Sequence, residues 1–285
     1  MPIMEIEVNG NSGCKVEIIR EDKRLYVLKS TLAPEYAARL VRQAHKQQQA
    51  AQRLIPNIMV PQVCEINEAE GMASVKMDYV YSKNYITFFE NAGVYEIDSF
   101  IDAVIAFIEN ELSLSQMTLV DASVFRNKVD DIERKLCGRD EYDARTQDLF
   151  SRVRAKLDTL PAIMIPVGVC HGDLTFSNIL FVGNNYCLID FLDSFVETPL
   201  QDIVKLRQDS RYLWSCRMYN NRFDELRLSL ISDYIDKTID GYFAKYEWYA
   251  AYYELFQLIN MLRILPYARD KEVTDFLLNV VSDLI

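Results

Sequence analysis

The side chains best suited to chemistry are two carboxylates and one amide in the second half of the chain. Asn178 follows Asp173 by five residues, and Asp190 lies twelve residues further on. Carboxylate and amide oxygens bind Mg²⁺, and phosphoryl transfer from a nucleotide also needs a carboxylate that orients or deprotonates the attacking hydroxyl. The spacing therefore predicts Asp173 as a catalytic base, and Asn178 and Asp190 as ligands of Mg²⁺.

A loop and a short hairpin must hold these three side chains together. Residues 179–182 and 186–189 are short apolar runs separated by a Gly-Asn-Asn turn, which is a hairpin pattern. Because a hairpin returns the chain beside its own start, we expect Asp190 to lie next to Asn178. Taken singly, Asp173 and Asn178 are also typical turn residues and Asp190 a typical strand-end cap, so the prediction depends on all three together.

The first eighty residues favour strands around a single helix. β-branched and aromatic runs mark the strands, and a proline stands at each end of the helix. The predicted elements are strands at residues 15–20 and 24–29, a helix at residues 34–55, and strands at residues 62–67 and 72–80. We therefore predict a small β-rich lobe over residues 1–80.

The remainder of the chain, residues 81–285, favours helices because its apolar residues repeat at helical spacing, as between Ile97 and Ile108. Further helices are predicted at residues 123–136, 141–157, 224–245, 247–265 and 271–285. An antiparallel sheet followed by helices indicates an α+β fold with two lobes. The larger lobe would carry the catalytic and acceptor-binding residues.

Composition excludes several classes of protein. A formal charge of −11 argues against a nucleic-acid binder, which needs a basic surface. No apolar run approaches the roughly 18 residues of a membrane span, and residues 1–10 lack a signal peptide's features, so we expect a cytoplasmic protein without membrane partners. The six cysteines include no Cys-x-x-Cys pair, and the only histidines are His45 and His171, which excludes a His-rich metal centre. His171 is expected to hold its loop by hydrogen bonds.

The pattern His-Gly-Asp-x-x-x-x-Asn from His171 to Asn178, followed by Ile-Asp-Phe at residues 189–191, resembles a known family. It is similar to the aminoglycoside phosphotransferase and choline kinase group, also called the phosphotransferase enzyme family. The resemblance implies a bilobal protein-kinase-like fold, with ATP or GTP and Mg²⁺ bound. It also implies that the phosphate acceptor is a hydroxyl group on a small molecule.

The resemblance further implies where the nucleotide binds, in the small lobe. The turn around Ser12 and Gly13 resembles the loop that covers the phosphates, although a plain turn is the alternative. Lys29 ends a strand and resembles the lysine that contacts the α- and β-phosphates, the alternative being an edge lysine facing solvent. Asp78 and Val80 resemble the hinge that binds the base through its backbone, and a plain strand exit is the alternative there.

One feature of the family pattern is absent from the predicted helix. The lysine of this fold usually pairs with a glutamate on the next helix, but the interior of this helix offers glutamines such as Gln43 and Gln47. Glu35 lies in the first turn, too early in the helix. Three alternatives stay open: a glutamine substitutes, Lys29 is held in another way, or Lys29 is not the phosphate lysine.

The spacing after Asp190 bears on the acceptor. Eleven residues, 191–201, separate it from Asp202, and no Ala-Pro-Glu sequence appears, so the peptide platform of a protein kinase does not fit. A small-molecule acceptor is therefore favoured over a protein. Asp202 opens a helix after Pro199, where the resemblance implies that it braces the catalytic loop. Asp193 is either a solvated turn residue or a ligand of a second Mg²⁺.

The identity of the acceptor stays open from sequence. The many aromatic residues of the C-terminal helices could form a cage for a quaternary ammonium group, but core packing of a helical lobe is the favoured interpretation. Arg207, Arg211 and Arg263 could instead anchor an anionic sugar or a phosphate. The rival to an enzyme is a catalytically inert nucleotide-binding or scaffold protein of the same fold. The oligomeric state is not predicted.

Overall fold

The N-terminal part of the chain folds as an antiparallel sheet with one helix. The computed structural model describes residues 3–8, 14–69, 71–139, 142–219, 221–268 and 270–285, so Ser12 and Gly13 lie outside the described residues. In chain order the elements are β1 (Ile3–Val8), β2 (Lys15–Glu21), β3 (Arg24–Thr31), α1 (Pro34–Ala51), β4 (Ile58–Met59), β5 (Val63–Ala69) and β6 (Met72–Asp78). The strands β1 and β4 are additions to the predicted set.

The order of strands in the sheet is β1-β2-β3-β6-β5, which makes β3 an interior strand. Lys29 on β3 pairs with Val16 on one side and with Val75 on the other. The alternative of an edge lysine is therefore wrong. Pro34 starts α1, and this helix covers the sheet through a small apolar core. That core consists of Ala37, Leu40, Ala44, Ala73, Val75 and Met77.

The rest of the chain is mainly helical, and the predicted α+β class is confirmed. Its elements are α2 (Tyr85–Asn91), α3 (Val94–Ser113), β7 (Gln116–Val120), α4 (Ser123–Leu136), α5 (Ala144–Asp158), β8 (Ile163–Val167), β9 (Ile179–Val182), β10 (Asn185–Leu188), α6 (Pro199–Ser210), α7 (Trp214–Arg217), α8 (Glu225–Phe243), α9 (Glu247–Ile264) and α10 (Lys271–Leu284). Among the described residues, no helix is long and apolar enough to cross a membrane.

A second, much larger apolar core lies among these helices. The C-terminal end of α1 joins this core through Ala50, and Ile55 follows. In addition, β4 pairs in parallel with β10 and so belongs to a separate three-stranded sheet, in the order β4-β10-β9. The chain between α1 and β5 is thus packed on the helical part. The division at residues 80 and 81 stays a prediction.

The loop that carries Asp173 runs between β8 and β9, and backbone hydrogen bonds tie it to the segment after β10. Leu192 N donates to His171 O at 2.9 Å, and Ile189 N donates to Asn178 O at 3.0 Å. A short 3₁₀ turn, Phe176–Asn178, leads directly into β9. The predicted hairpin therefore forms, and it brings Asp190 back beside the start of β9.

Gly172 allows the close approach of these two segments. Its φ of +88° is a left-handed conformation, and a Cβ atom there would overlap the carbonyl oxygen of Leu192. Gly183, in the β9–β10 turn, also has a positive φ of +59°, but a Cβ atom there would meet nothing within 4 Å. A comparison of substitutions at the two glycines therefore distinguishes the cost of a left-handed backbone from the cost of a steric overlap.

We predict that Gly172→Ala lowers the free energy of unfolding by about 3 kcal/mol or more, because strain and overlap add. Gly183→Ala, the matched control, should lose only about 1 kcal/mol from the left-handed backbone. Urea denaturation of both variants measures the difference. Equal losses in the two would contradict the overlap with Leu192.

Candidate active site

Asp173, Asn178 and Asp190 converge at one end of the β9–β10 hairpin. The side-chain amide of Asn178 donates from Nδ2 to Asp173 Oδ2 at 2.9 Å and to Asp173 O at 2.8 Å. Asp190 follows Ile189, whose backbone is bonded to Asn178. Asp190 has a φ of 62°, a left-handed conformation that is uncommon for a non-glycine residue and typical of strained functional positions.

The donor set of this cluster suits Mg²⁺. Because Asn178 Nδ2 faces Asp173, the amide oxygen Oδ1 is the atom left to bind a cation. Asp190 supplies carboxylate oxygens, and Mg²⁺ is usually bound by one or two such protein oxygens together with waters and substrate phosphates. The described residues contain no group of three or more His, Cys, Asp or Glu side chains that could hold a metal by themselves. The residues therefore fit a cation that is bound together with a nucleotide.

Lys29 contacts Asp190 directly through its Nζ atom. The lysine reaches from the interior strand β3 to the other part of the molecule, and burial lowers its pKa although nearby Cys14 opposes that effect. Among the three alternatives for its missing glutamate partner, the structure favours the second: Lys29 is held in another way. Its partner is the carboxylate that we predicted as a metal ligand.

The helix α1 carries a lysine, Lys46, that contacts the segment after β10. Lys46 Nζ lies 2.7 Å from Glu197 Oε2 and donates to Leu192 O at 2.6 Å. Burial lowers the pKa of Lys46, but Cys170 and Glu197 outweigh burial and raise it above the ordinary lysine value. Arg42 on the same helix lies 3.2 Å from Asp193. Two ion pairs thus fasten α1 to residues 191–198, and Asp193 is engaged in one of them.

Lys205 on α6 is a site residue that the sequence reasoning missed. Its Nζ lies 3.0 Å from Asp173 Oδ1, and only 7% of the residue is exposed. Burial raises the pKa of Asp173, but the charge and hydrogen bond of Lys205 outweigh burial and hold that pKa below the ordinary value. Asp173 is therefore ionised at neutral pH. A lysine inside the otherwise apolar run Ile-Val-Lys-Leu was the available signal.

His171 does not take up a proton at neutral pH in this site. It is fully buried and packs on Phe191 with the ring centroids 4.2 Å apart. Burial lowers its pKa to about 3, so the ring is neutral, and Nδ1 accepts a hydrogen bond from Asp173 N at 3.2 Å. The ring therefore shapes the loop, as expected from the sequence.

Two buried carboxylates of α6 brace the same loop. Asp202 accepts hydrogen bonds from His171 N and, at 2.7 Å, from Gly172 N. Asp209 accepts from Phe176 N at 2.7 Å. Burial raises the pKa of each acid to about 6, against the opposing effect of these hydrogen bonds. The expected bracing role of Asp202 matches this geometry, whereas Asp209 was not singled out from the sequence.

Glu111 on α3 lies near Asp202, one of these two carboxylates. It is completely buried, and burial together with nearby Asp202 raises its pKa well above the ordinary value. The side-chain oxygens of Glu111 have no hydrogen-bond partner among the described residues, and the closest approach of Arg53 is 4.0 Å. A protonated, neutral Glu111 therefore avoids an unpaired buried charge next to Asp202.

Arg207 is held by partners within the chain, so it is not available for the alternative role of anchoring an anionic acceptor. Its guanidinium bonds Asp236 at 2.8 and 2.9 Å, Asp240 at 2.5 Å and the hydroxyl of Tyr249 at 2.6 Å. It also stacks on Tyr253 at 4.3 Å from the ring centroid. These tyrosines pack around an arginine inside the helical core, which favours core packing over an ammonium cage.

At the end of β6, only some of the backbone groups around Asp78 are free to hydrogen-bond with a nucleotide base. Asp78 N already donates to Gln62 O at 3.0 Å, and Tyr79 N donates to Leu25 O at 3.3 Å. The expected contacts of a base with the backbone around Asp78 and Val80 stay a prediction.

A small antiparallel sheet with one helix, a larger helical part and a braced His-Gly-Asp loop define the class of protein-kinase-like phosphotransferases. The profile of the phosphotransferase enzyme family matches residues 8–249 of this chain. The chain therefore belongs to the phosphotransferase enzyme family. The predicted family, fold and enzyme class are confirmed.

Solved structures share this fold at low sequence identity. A thermostable mutant of aminoglycoside phosphotransferase APH(4)-Ia, in complex with ADP and hygromycin B, is 10% identical, with 98% of this chain and 92% of that chain covered and a TM-score of 0.67. A protein from Thermobifida fusca YX-ER1 described as a fructosamine-3-kinase is 13% identical, with coverages of 99% and 93% and a TM-score of 0.65.

A third structure, amicoumacin kinase hAmiN in complex with AMP-PNP, Ca²⁺ and Ami, is 12% identical, with coverages of 99% and 87% and a TM-score of 0.65. A search of curated protein sequences finds no match to this chain. At these identities the three structures establish the fold.

We predict that Lys205→Met raises the pKa of Asp173, because burial then acts without the opposing cation. Lys205→Arg keeps the positive charge and should leave this pKa low. NMR titration of the ¹³C-labelled carboxyl groups, with the Asp173 signal assigned by its loss in Asp173→Asn, measures the shift. An unchanged midpoint in Lys205→Met would contradict the role of Lys205.

Proposed function

We propose that this protein is a Mg²⁺-dependent small-molecule kinase that transfers the γ-phosphoryl group of ATP or GTP to a hydroxyl group. The observation that carries the proposal is the convergence of Asp173, Asn178 and Asp190. Lys29 stands at one end of this cluster and Lys205 at the other. One end is thus suited to nucleotide phosphates and the other to an acceptor.

In this proposal Asp173 receives the proton of the acceptor hydroxyl. The hydroxyl oxygen forms a bond to the γ-phosphorus while the bond from that phosphorus to the β–γ bridging oxygen breaks, and the nucleoside diphosphate leaves with the electron pair. The low pKa of Asp173 favours orientation of the hydroxyl early and proton uptake late in the transfer. Asn178 would hold Asp173 in position during the reaction.

Asn178 and Asp190 would hold Mg²⁺, which, when bound, offsets the negative charge of the phosphates. Lys29 would leave its contact with Asp190 and bind the α- and β-phosphates. Asp190 would thus have a cationic partner both without nucleotide, as Lys29, and with it, as Mg²⁺. Ser12 and Gly13 are proposed to cover the phosphates.

Two further observations support a small acceptor. The segment after Asp190 is short, and Lys46 and Arg42 hold it against α1, so no room remains for a peptide platform. The structures with the same fold were solved with hygromycin B and with amicoumacin, which are small molecules. The inert scaffold alternative is disfavoured by the ionised Asp173.

We predict that Asp173→Ala lowers kcat by about two to four orders of magnitude, because the hydroxyl loses its base. Binding of MgATP should stay within about threefold of wild type, since Asp173 faces the acceptor. Coupled ADP release, screened over amino alcohols, sugars and aminoglycosides, measures turnover, and Asp131→Ala on the surface of α4 is the matched control. Full turnover by Asp173→Ala would refute the assignment, and a wild type without ADP release would favour the inert scaffold.

We predict that Asp190→Ala removes the effect of Mg²⁺ on nucleotide affinity. Calorimetric titration of ATP into each protein, with Mg²⁺ and with EDTA, should show a Mg²⁺-dependent gain of about tenfold or more in wild type only. Asp193→Ala is the control, because it removes a nearby carboxylate engaged by Arg42. Loss of the Mg²⁺ effect in that control would instead assign a metal ligand to Asp193.

A further inference from the structure

Arg263, near the end of α9, faces the candidate site without a hydrogen-bond acceptor of its own. It interacts electrostatically with Asp173, and its Nη1 atom is buried and without a hydrogen-bond partner among the described residues. Asp173 does not supply that partner, since its Oδ1 is 3.0 Å from Lys205, its Oδ2 accepts from Asn178, and neither oxygen accepts from Arg263 Nη1. A buried donor without a partner is costly, so an acceptor from outside the chain would stabilise this arginine.

Other cations surround Arg263. Arg39 on α1 and Lys128 on α4 both lie within electrostatic range of it. Burial, followed by the charges of Arg263 and Lys135, lowers the pKa of Lys128 to about 8, although Asp131 opposes them. A concentration of positive charge in a chain with a formal charge of −11 is the opposite of what composition predicts. This group, Arg39, Lys128 and Arg263, is called the basic cluster below.

Arg207 shows how the same fold treats an arginine that has a structural role. Two carboxylates, Asp236 and Asp240, satisfy it at 2.5 to 2.9 Å. Arg263, on the helix α9 that packs against α6, has no such carboxylate pair among its described contacts, although its Nη1 atom is buried. The contrast indicates that the missing anion belongs to a ligand.

Two members of the basic cluster lie in the helical part, which we expect to bind the acceptor. Lys128 and Arg263 come from the helices α4 and α9, whereas Arg39 comes from α1 and the predicted nucleotide lysine, Lys29, from β3. Arg263 and Lys205 approach Asp173 from that same helical part. An anionic group bound there would place the rest of a small molecule next to Asp173.

We propose that the acceptor of this kinase carries an anionic group, a carboxylate or a phosphate, which Arg263 binds while a hydroxyl of the same molecule faces Asp173. The inference rests on the proposed function and names its substrate class. Planar guanidinium groups match carboxylates and phosphates through paired hydrogen bonds. A polycationic acceptor such as an aminoglycoside would be repelled by the basic cluster.

Turnover of matched acceptors tests the charge preference. Glucose, gluconate, glucose 1-phosphate and kanamycin are compared in the coupled ADP assay with MgATP. We expect an anionic sugar to exceed glucose by about tenfold or more in kcat/KM, and Arg263→Gln to raise its KM by about tenfold while the KM for ATP is unchanged. Arg263→Lys should retain part of the preference, and Arg134→Gln, an exposed arginine of α4, should retain all of it. Preferred turnover of kanamycin or glucose would overturn the proposal.

Sulfate binding tests the anion site without relying on catalysis. Sulfate is titrated calorimetrically into the nucleotide-free wild type, Arg263→Gln and Lys29→Met, with folding of each checked by circular dichroism. Saturable binding that is lost in Arg263→Gln and kept in Lys29→Met supports the proposal, even if neither sugar anion is an acceptor. Binding that is kept in Arg263→Gln and lost in Lys29→Met would assign the ion to the nucleotide site and overturn the proposal. The absence of both sulfate binding and turnover of an anionic sugar would also overturn it. If no acceptor yields ADP, the proposed function fails, whereas the sulfate titration still decides the anion site.

Discussion

The rest of the site depends on the hydrogen bonds between the buried helix α6 and the catalytic loop. Asp202 and Asp209 accept backbone N–H groups of the loop, and Lys205 contacts Asp173 from the same helix. Buried carboxylates are costly without such partners, and buried N–H groups also cost free energy without acceptors. Helix and loop therefore satisfy each other, and α6 sets the position of the loop at three points.

The ion pairs of Lys29 and of α1 differ from the lysine–glutamate pair that the family resemblance implies. Lys29 pairs with Asp190, and α1 carries Lys46, which pairs with Glu197 in the segment that follows Asp190. Among the described residues, the ion pairs of α1 with this segment thus link the helix to the chain after Asp190 and not to Lys29.

Much of the fold was predictable because its signals are local. The hairpin after Asn178, the helix beginning at Pro34 and the helical stripe of α3 follow from turn residues and from apolar spacing over a few positions. The short β4 was not predictable, since two residues carry no periodicity and their pairing with β10 joins distant parts of the chain. Similarly, nothing local distinguishes Arg207, which is satisfied by two acids, from Arg263, which is not.

The sequence alone determined the reaction class, because Asp173, Asn178 and Asp190 lie in one loop and hairpin whose covalent spacing brings them together. It also determined that no peptide platform fits before Asp202. Only the tertiary structure decided which cations surround these oxygens, since Lys29, Lys205 and Arg263 approach from elements far apart in the chain. Electrostatic energy depends on distance in space and on burial, and neither can be read from separation along the chain.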